Sequence, residues 1–181
     1  MITYGICLIA SSVLSGGVGK AYADSRSERE YQIKAAFLYN FTKFVEWPAD
    51  RFADDNAPII LCVFGKDPFG ATLEDTVTGK TVKGRHIYIR RIVNVDELDA
   101  CHVLFVGLSE REQLRQIVAS SHGASVLTVG DMDDFVEFGG VINLIKRANK
   151  IQFEINLVAA KQARLKLDLK LVTLASSVKK K

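Results

Sequence analysis

Four short and almost uninterrupted apolar runs, Ile59–Phe64, Val103–Val106, Val126–Val129 and Val141–Ile145, constrain this chain more than any other feature. Each has the length of a β-strand, and the first, with no polar face, is expected to be covered on both sides. Helix signals fall between them. Ser27-x-x-Glu30 and Ser109-x-x-Glu112 have the spacing of capping boxes, and Asp67-Pro68 pairs a cap with a proline at the first helical position. The first box predicts a helix that Pro48 stops after Trp47, the Asp67-Pro68 pair predicts one to about Val77, and the second box predicts one to Ser120. In the first helix Ile33, Phe37, Phe41 and Phe44 recur on one stripe closed by Trp47, with Lys34 and Lys43 off it. The plainer reading of that stripe is core, the sharper one an interface.

The remaining segments read in the same way. Thr81–Ile92 is expected as one strand, Asp96–Ala100 as a helical turn and Phe135–Phe138 as a short helix. Residues 141–155 alternate as a hairpin, with Ile151, Phe153 and Ile155 on one face and Gln152 and Glu154 on the other. Asn156 is placed to cap a last helical stretch through about Ala175. Strands alternating with helices and then a hairpin predict a single-domain α/β fold. Its mixed β-sheet of about six strands is flanked by helices on both faces and carries a C-terminal hairpin. No internal repeat or domain boundary interrupts the chain.

Residues 1–23 have the pattern of an export signal, leaving residues 24–181 as the mature domain. Ile6–Val18 is apolar or small and leads to Ala21-Tyr22-Ala23, a pattern that signal peptidase accepts, although no Lys or Arg precedes it. The rival reading is a membrane anchor, but the run falls short of the roughly 20 apolar residues a span needs. Cys7 lies within the signal, so Cys62 and Cys101 are the cysteines left to an oxidising compartment, where a disulfide between neighbouring strands is expected. A structural staple and a redox-sensitive one are both open, and no C-x-x-C motif points to thiol chemistry. With 24 basic residues against 21 acidic ones, and Lys179–Lys181 expected as a frayed tail, there is no concentrated basic face for nucleic acid.

Catalytic and metal motifs fail on inspection. His86, His102 and His122 lie in separate segments, and Asp131, Asp133 and Asp134 begin like a calcium loop but continue with Phe135 and Val136, so no metal or cofactor is expected. Gly79-Lys80-Thr81 lacks the earlier glycine of a phosphate loop, and no G-x-S-x-G elbow is present. The basic stretch Lys80, Lys83, Arg85, His86, Arg90 and Arg91 reads either as an edge strand protected by charge or as a contact for an acidic partner or cell-wall polymer.

Residues 31–48, YQIKAAFLYNFTKFVEWP, closely resemble the opening helix of the YfiR family of secreted Gram-negative proteins. The likeness continues through Cys62-Val63-Phe64-Gly65, Asp67-Pro68-Phe69, the strand opened by Cys101 and Val126–Asp131. It closes with Phe138-Gly139-Gly140 and Ile151–Asn156, covering about residues 30–175. The resemblance implies a homodimeric periplasmic regulator without enzymatic activity. It would bind the periplasmic region of an inner-membrane diguanylate cyclase and hold it inactive until an outer-membrane lipoprotein sequesters the regulator. It also implies that Cys62 and Cys101 match the family's cysteine pair. Two departures stand out: the C-terminal half has no second cysteine pair, and Leu165–Lys170 carries charges where small residues and Ser are expected. Glu154 and Asn156 are expected to form a partner-facing polar patch, because Phe153 and Ile155 must point inward. The alternative is a periplasmic ligand- or cell-wall-binding module feeding a sensor kinase or outer-membrane receptor, and an enzyme is the more distant rival.

Overall fold

The structure, a computed structural model, describes residues 18–181, with side chains from residue 27 onward. Residues 1–17 of the expected export signal, Cys7 among them, lie outside the described residues. The chain runs α1 (Val18–Lys43), β1 (Val45–Glu46), β2 (Ile59–Phe64), α2 (Thr72–Val77), β3 (Thr81–Val82), β4 (Arg85–Ile92) and β5 (Val103–Val106). It continues through α3 (Leu114–His122), β6 (Leu127–Gly130), β7 (Ile142–Arg147), β8 (Lys150–Asn156), α4 (Leu157–Gln162), β9 (Lys166–Leu167), α5 (Leu169–Leu174) and β10 (Ser177–Lys179). Short 3-10 helices at Ala49–Arg51, Val95–Ala100 and Leu108–Gln113 complete it.

Eight strands form one mixed sheet in the order β10-β8-β7-β6-β5-β2-β4-β3, and β1 and β9 form a separate two-stranded ribbon. The centre, from β4 through β2, β5 and β6 to β7, is parallel, while the β7–β8 hairpin and the β3–β4 pair are antiparallel. The expected α/β class, mixed sheet, helices on both sides and C-terminal hairpin are all present, with eight strands rather than about six.

Alternation along the central strands divides the interior in two. Leu61, Val63, Val103, Phe105, Leu127 and Val129 join a core with Ala35, Leu38 and Phe41 of α1, Leu73 of α2 and Ala159 and Ala160 of α4. Cys62, Phe64, Leu104 and Val106 join a second core with Leu98, Leu114, Ile117, Val118 and Phe135. The disulfide between Cys62 and Cys101 belongs to this second core; the two Cα atoms are 5.8 Å apart and both residues are fully buried. Phe135 fits only because its neighbours have no side chain, since a Cβ on Gly130 or Gly140 would overlap its ring.

Several local expectations are corrected. Helix α1 runs through Ser27, so Ser27 does not cap it, and it ends at Lys43 because Val45–Glu46 pairs with Lys166–Leu167. The capping box at Ser109 is also unused. Its Oγ accepts from the amide of Lys66 at 3.0 Å, and the segment begins as a 3-10 turn before α3. Asp67 accepts from the Phe69 amide at 2.7 Å, yet α2 begins only at Thr72. Thr81–Ile92 folds as a hairpin turning at Lys83 and Gly84, both at positive φ. Residues 135–138 form turns instead of a helix.

Asn156 does cap α4, accepting from the Ala159 amide at 3.0 Å, but the expected helix through Ala175 breaks at Arg164, whose φ is 56°. The chain there extends to give β9, and Asp168 then caps α5. Lys179 is not frayed: it lies in β10, paired with β8, and forms an ion pair with Glu137.

The two cysteines are separated by 39 positions, so the bridge removes about 4 kcal/mol of unfolded-chain entropy in the loop-closure model. Cys62→Ser/Cys101→Ser should therefore lower the unfolding free energy by up to about that amount. Urea titrations of oxidised wild type and the double variant measure the difference, and coincident curves would show the bridge to be idle.

Candidate functional site

Burial on α1 follows Ala35, Leu38, Phe41 and Thr42 and continues into Val45 of β1, and it includes Lys34, which is only 5% exposed. Lys34 is thus part of the seam and not beside it, while Ile33 is 44% exposed and Phe37 and Phe44 are half-buried. An ammonium in this setting requires partners. Lys34 Nζ lies 2.7 Å from Asp131 Oδ2 and 2.8 Å from Glu30 Oε1, and the Tyr31 hydroxyl donates to the same Asp131 oxygen at 3.1 Å. Lys146 of β7 closes the network on Glu30. Burial disfavours the Lys34 ammonium, but the charge of Asp131 and the hydrogen bonds that Lys34 donates to Asp131 and Glu30 outweigh it, so its pKa lies above the ordinary lysine value. Burial also opposes ionisation of Glu30, and its bonds to Lys146 and Lys34 reverse this, leaving its pKa low.

Asp131 follows directly from β6 and borders a surface cleft of about 520 Å3. The cleft is also lined by Asp133, Asp134, Asn143, Lys146, Arg147 and Glu154. Strand register explains the grouping: Gly130 pairs with Asn143, and Asn143 pairs with Glu154. Of the two residues expected to face a partner, Glu154 is on this cleft, with Arg147 at 3.4 Å. Asn156 is 4% exposed and turned inward, donating from Nδ2 to the Val136 carbonyl at 2.8 Å while capping α4. Its side chain is committed to the fold, so the patch reduces to Glu154 and the acids around it.

A second concavity, of about 250 Å3, lies where the end of α1 meets β1 and β2; Trp47, Phe52, Val82, Lys83 and Arg85 are among its walls. Trp47 donates from Nε1 to the His102 carbonyl at 3.0 Å, Phe52 stacks on the His102 ring at 4.6 Å, and the Arg85 guanidinium lies 3.9 Å over Phe52. His102 is 6% exposed, and its Nδ1 accepts from the Ile60 amide at 3.1 Å. Burial, helped by the charge of Arg51, lowers its pKa to about 4, so it is neutral at pH 7.

The basic stretch is largely neutralised within the molecule. Arg90 pairs with Glu97, Arg91 with Asp67 and Glu74, and Arg85 donates to the carbonyls of Asp54 and Ala57. Among the described residues no group of three His, Cys, Asp or Glu is arranged to hold a metal ion. No helix among them is long and apolar enough to cross a membrane.

A family model described as YfiR/HmsC-like matches residues 31–176, nearly the whole of the described chain. The chain belongs to the YfiR/HmsC-like family. The family segment therefore takes in both cores, the disulfide, the Glu154 cleft and the Trp47 pocket. Among solved structures, a conserved domain protein from Vibrio cholerae O1 biovar El Tor strain N16961 aligns with a TM-score of 0.50 at 12% identity, covering 66% of this chain and 54% of that one. The ABC domain of a Streptococcus pneumoniae protein in complex with L-Trp aligns with a TM-score of 0.53 at 10% identity, covering 80% and 60%. At such identities the likeness is one of fold. This YfiR/HmsC-like chain spans between half and two thirds of the length of those chains.

Two measurements probe the buried charges. Lys34→Met leaves Asp131, 4% exposed at its side chain, without its cation and should cost about 3–5 kcal/mol in urea unfolding, much of it recovered in Lys34→Met/Asp131→Asn. His102 has a folded pKa near 4 against 6.5 for the free side chain, so only the unfolded state takes up a proton as pH falls between these values. Its contribution is complete above pH 6.5 and declines by about 3 kcal/mol on reaching pH 4. His102→Phe should be less stable at pH 7 yet lose less over that interval, and equal losses would assign the acid sensitivity elsewhere.

Proposed function

We propose that this chain is a periplasmic regulator that docks on the periplasmic region of an inner-membrane diguanylate cyclase and holds it inactive, lowering cyclic di-GMP and biofilm formation. The observation that carries this reading is the YfiR/HmsC-like match over residues 31–176. Residues 1–23 act in it as the export signal, the mature domain 24–181 forms a homodimer, and an outer-membrane lipoprotein withdraws the regulator from the cyclase. The physical mechanism is a population shift: a regulator that binds the inactive arrangement more tightly than the active one moves the cyclase towards it. A hundredfold change in activity needs only about 2.7 kcal/mol of differential affinity. A rigid body suits that task, and the buried disulfide and two-sided core support such a body. The reading assigns no catalytic step to the protein.

Glu154 is the residue assigned to the cyclase contact, since it lies on an open cleft and its link to Arg147 is a surface ion pair worth about 1 kcal/mol or less. A second reading, a ligand- or cell-wall-binding module feeding a sensor kinase or outer-membrane receptor, draws support from the aromatic walls of the Trp47 pocket.

Deleting the gene should raise cyclic di-GMP and surface attachment, and re-expression of wild type should reverse both. Glu154→Lys should fail to reverse them while its melting temperature stays within a few degrees of wild type. Unchanged cyclic di-GMP in the deletion strain would favour the module reading.

A further inference from the structure

The basic stretch from Lys80 to Arg91 lies along one border of the sheet, and the regulatory reading makes no use of it. Strand β3 closes that border for two residues, pairing Thr81 with His86 and Val82 with Arg85. Beyond them β4 continues to Ile92, and among the described residues no strand lies on its outer side. One bond fixes the direction of the backbone groups there. The Ile92 carbonyl accepts from the Gly65 amide at 3.2 Å and so faces the β2 side. Successive residues of a strand turn their N–H and C=O groups to opposite sides, so those of Ile89 and Arg91 point outward. A surface cleft of about 360 Å3 borders this edge, lined by Ile87, Tyr88 and Ile89 of β4 and by Val77 and Lys80 from α2 and the segment after it.

Charged side chains ordinarily guard such an edge. Here Arg90 is held by Glu97, and Arg91 by Asp67 and Glu74. Tyr88 is 59% exposed and Val93, just past the strand, is 82% exposed. An accessible backbone edge beside apolar side chains receives an extended chain as an added strand, through main-chain hydrogen bonds and alternate side chains. The charges on the cleft select the occupant. Lys80 and His86 line it and form no ion pair among the described residues, and the Lys80 ammonium lies 4.8 Å from the centre of the Tyr39 ring. Glu74, also on the cleft, is taken by Arg91. The unspent side chains are therefore basic, which favours an acidic occupant. A second copy would bring an identical edge and set these basic groups against their own kind.

We propose that the outer edge of β4 is a docking site for an extended, acidic segment of another protein. The segment pairs with Ile89 and Arg91 as an added strand, sets an apolar side chain against Val77 and Ile89, and brings a carboxylate to Lys80 and His86. This site is separate from the Glu154 contact, and it does not depend on the regulatory reading, since binding is measured on the isolated protein without a cyclase.

The test titrates the isotope-labelled protein at low salt with a capped Glu-Val-Thr-Val-Thr peptide, its Lys-for-Glu counterpart and a form N-methylated at alternate amides. The acidic peptide should give saturable shifts and slowed hydrogen exchange at the Ile89 and Arg91 amides. The Lys form should bind about tenfold more weakly, and the N-methylated form should not bind. Ile89→Pro removes the outward N–H and leaves the pairing with β2, so it should abolish binding. Lys80→Glu/His86→Glu should reverse the preference between the acidic and basic peptides; both positions are exposed, so this variant keeps the fold even where Ile89→Pro does not. Equal binding of the two peptides, shifts confined to other residues, or no saturation at millimolar peptide would overturn the proposal. So would the same shifts on raising the protein concentration without peptide, which would assign the edge to a second copy.

Discussion

The two-sided burial of β2, β5 and β6 governs the rest of this structure. A parallel strand with water on neither face needs a layer above and a layer below, and the residues of each strand must divide between them. Helix α1, α2 and α4 form one layer. The other is thinner, built from 3-10 turns, α3 and the Phe135 loop, and it is here that the disulfide lies. Covalent closure falls on the side with less regular helix. The heavier layer is instead fastened by charge, through Lys34 and Asp131 at 2.7 Å.

The same arrangement explains which parts of the fold the sequence discloses. Ile59–Phe64 and Val103–Val106 coincide with their strands because a run that is apolar throughout admits few other environments. Asn156 is legible as a cap because its side chain acts on an amide three residues away. Ser27 and Ser109 carry the same kind of signal and mislead, since Ser27 lies inside a longer helix and Ser109 is claimed by Lys66 from a different part of the chain. The break at Arg164 is decided by long-range pairing of β9 with β1, which no local pattern encodes. At Ser109 and Arg164 the local rule is sound and a distant partner prevails.

The candidate site is harder to read for a related reason. Lys34 lies off the stripe of Ile33, Phe37, Phe41 and Phe44, which assigns it to solvent, whereas the structure buries it against Asp131 at the end of β6. The spacing of 34, 38 and 41 is the signal that bears on it, a lysine in helical register with Leu38 and Phe41. Asp131, Asp133 and Asp134 were visible as an acidic group, but Asn143 and Glu154 join them only through strand register. Asn156 lay on the expected face by alternation, yet the sheet continues past it into β10, and its side chain is used for capping.

The ribbon between residues 45–46 and 166–167, followed by β10 on β8, has a consequence for biogenesis. Until residues 166–179 have arrived, β1 has no mate and β8 exposes a bare edge, the kind of surface that recruits stray strands. Closing the fold joins segments more than a hundred positions apart, which is a slow class of contact. A polypeptide with this wiring stays unfinished until its last segment has docked. That timing places the period of greatest exposure to misassembly before residues 166–179 dock, while the edge of β8 is still open.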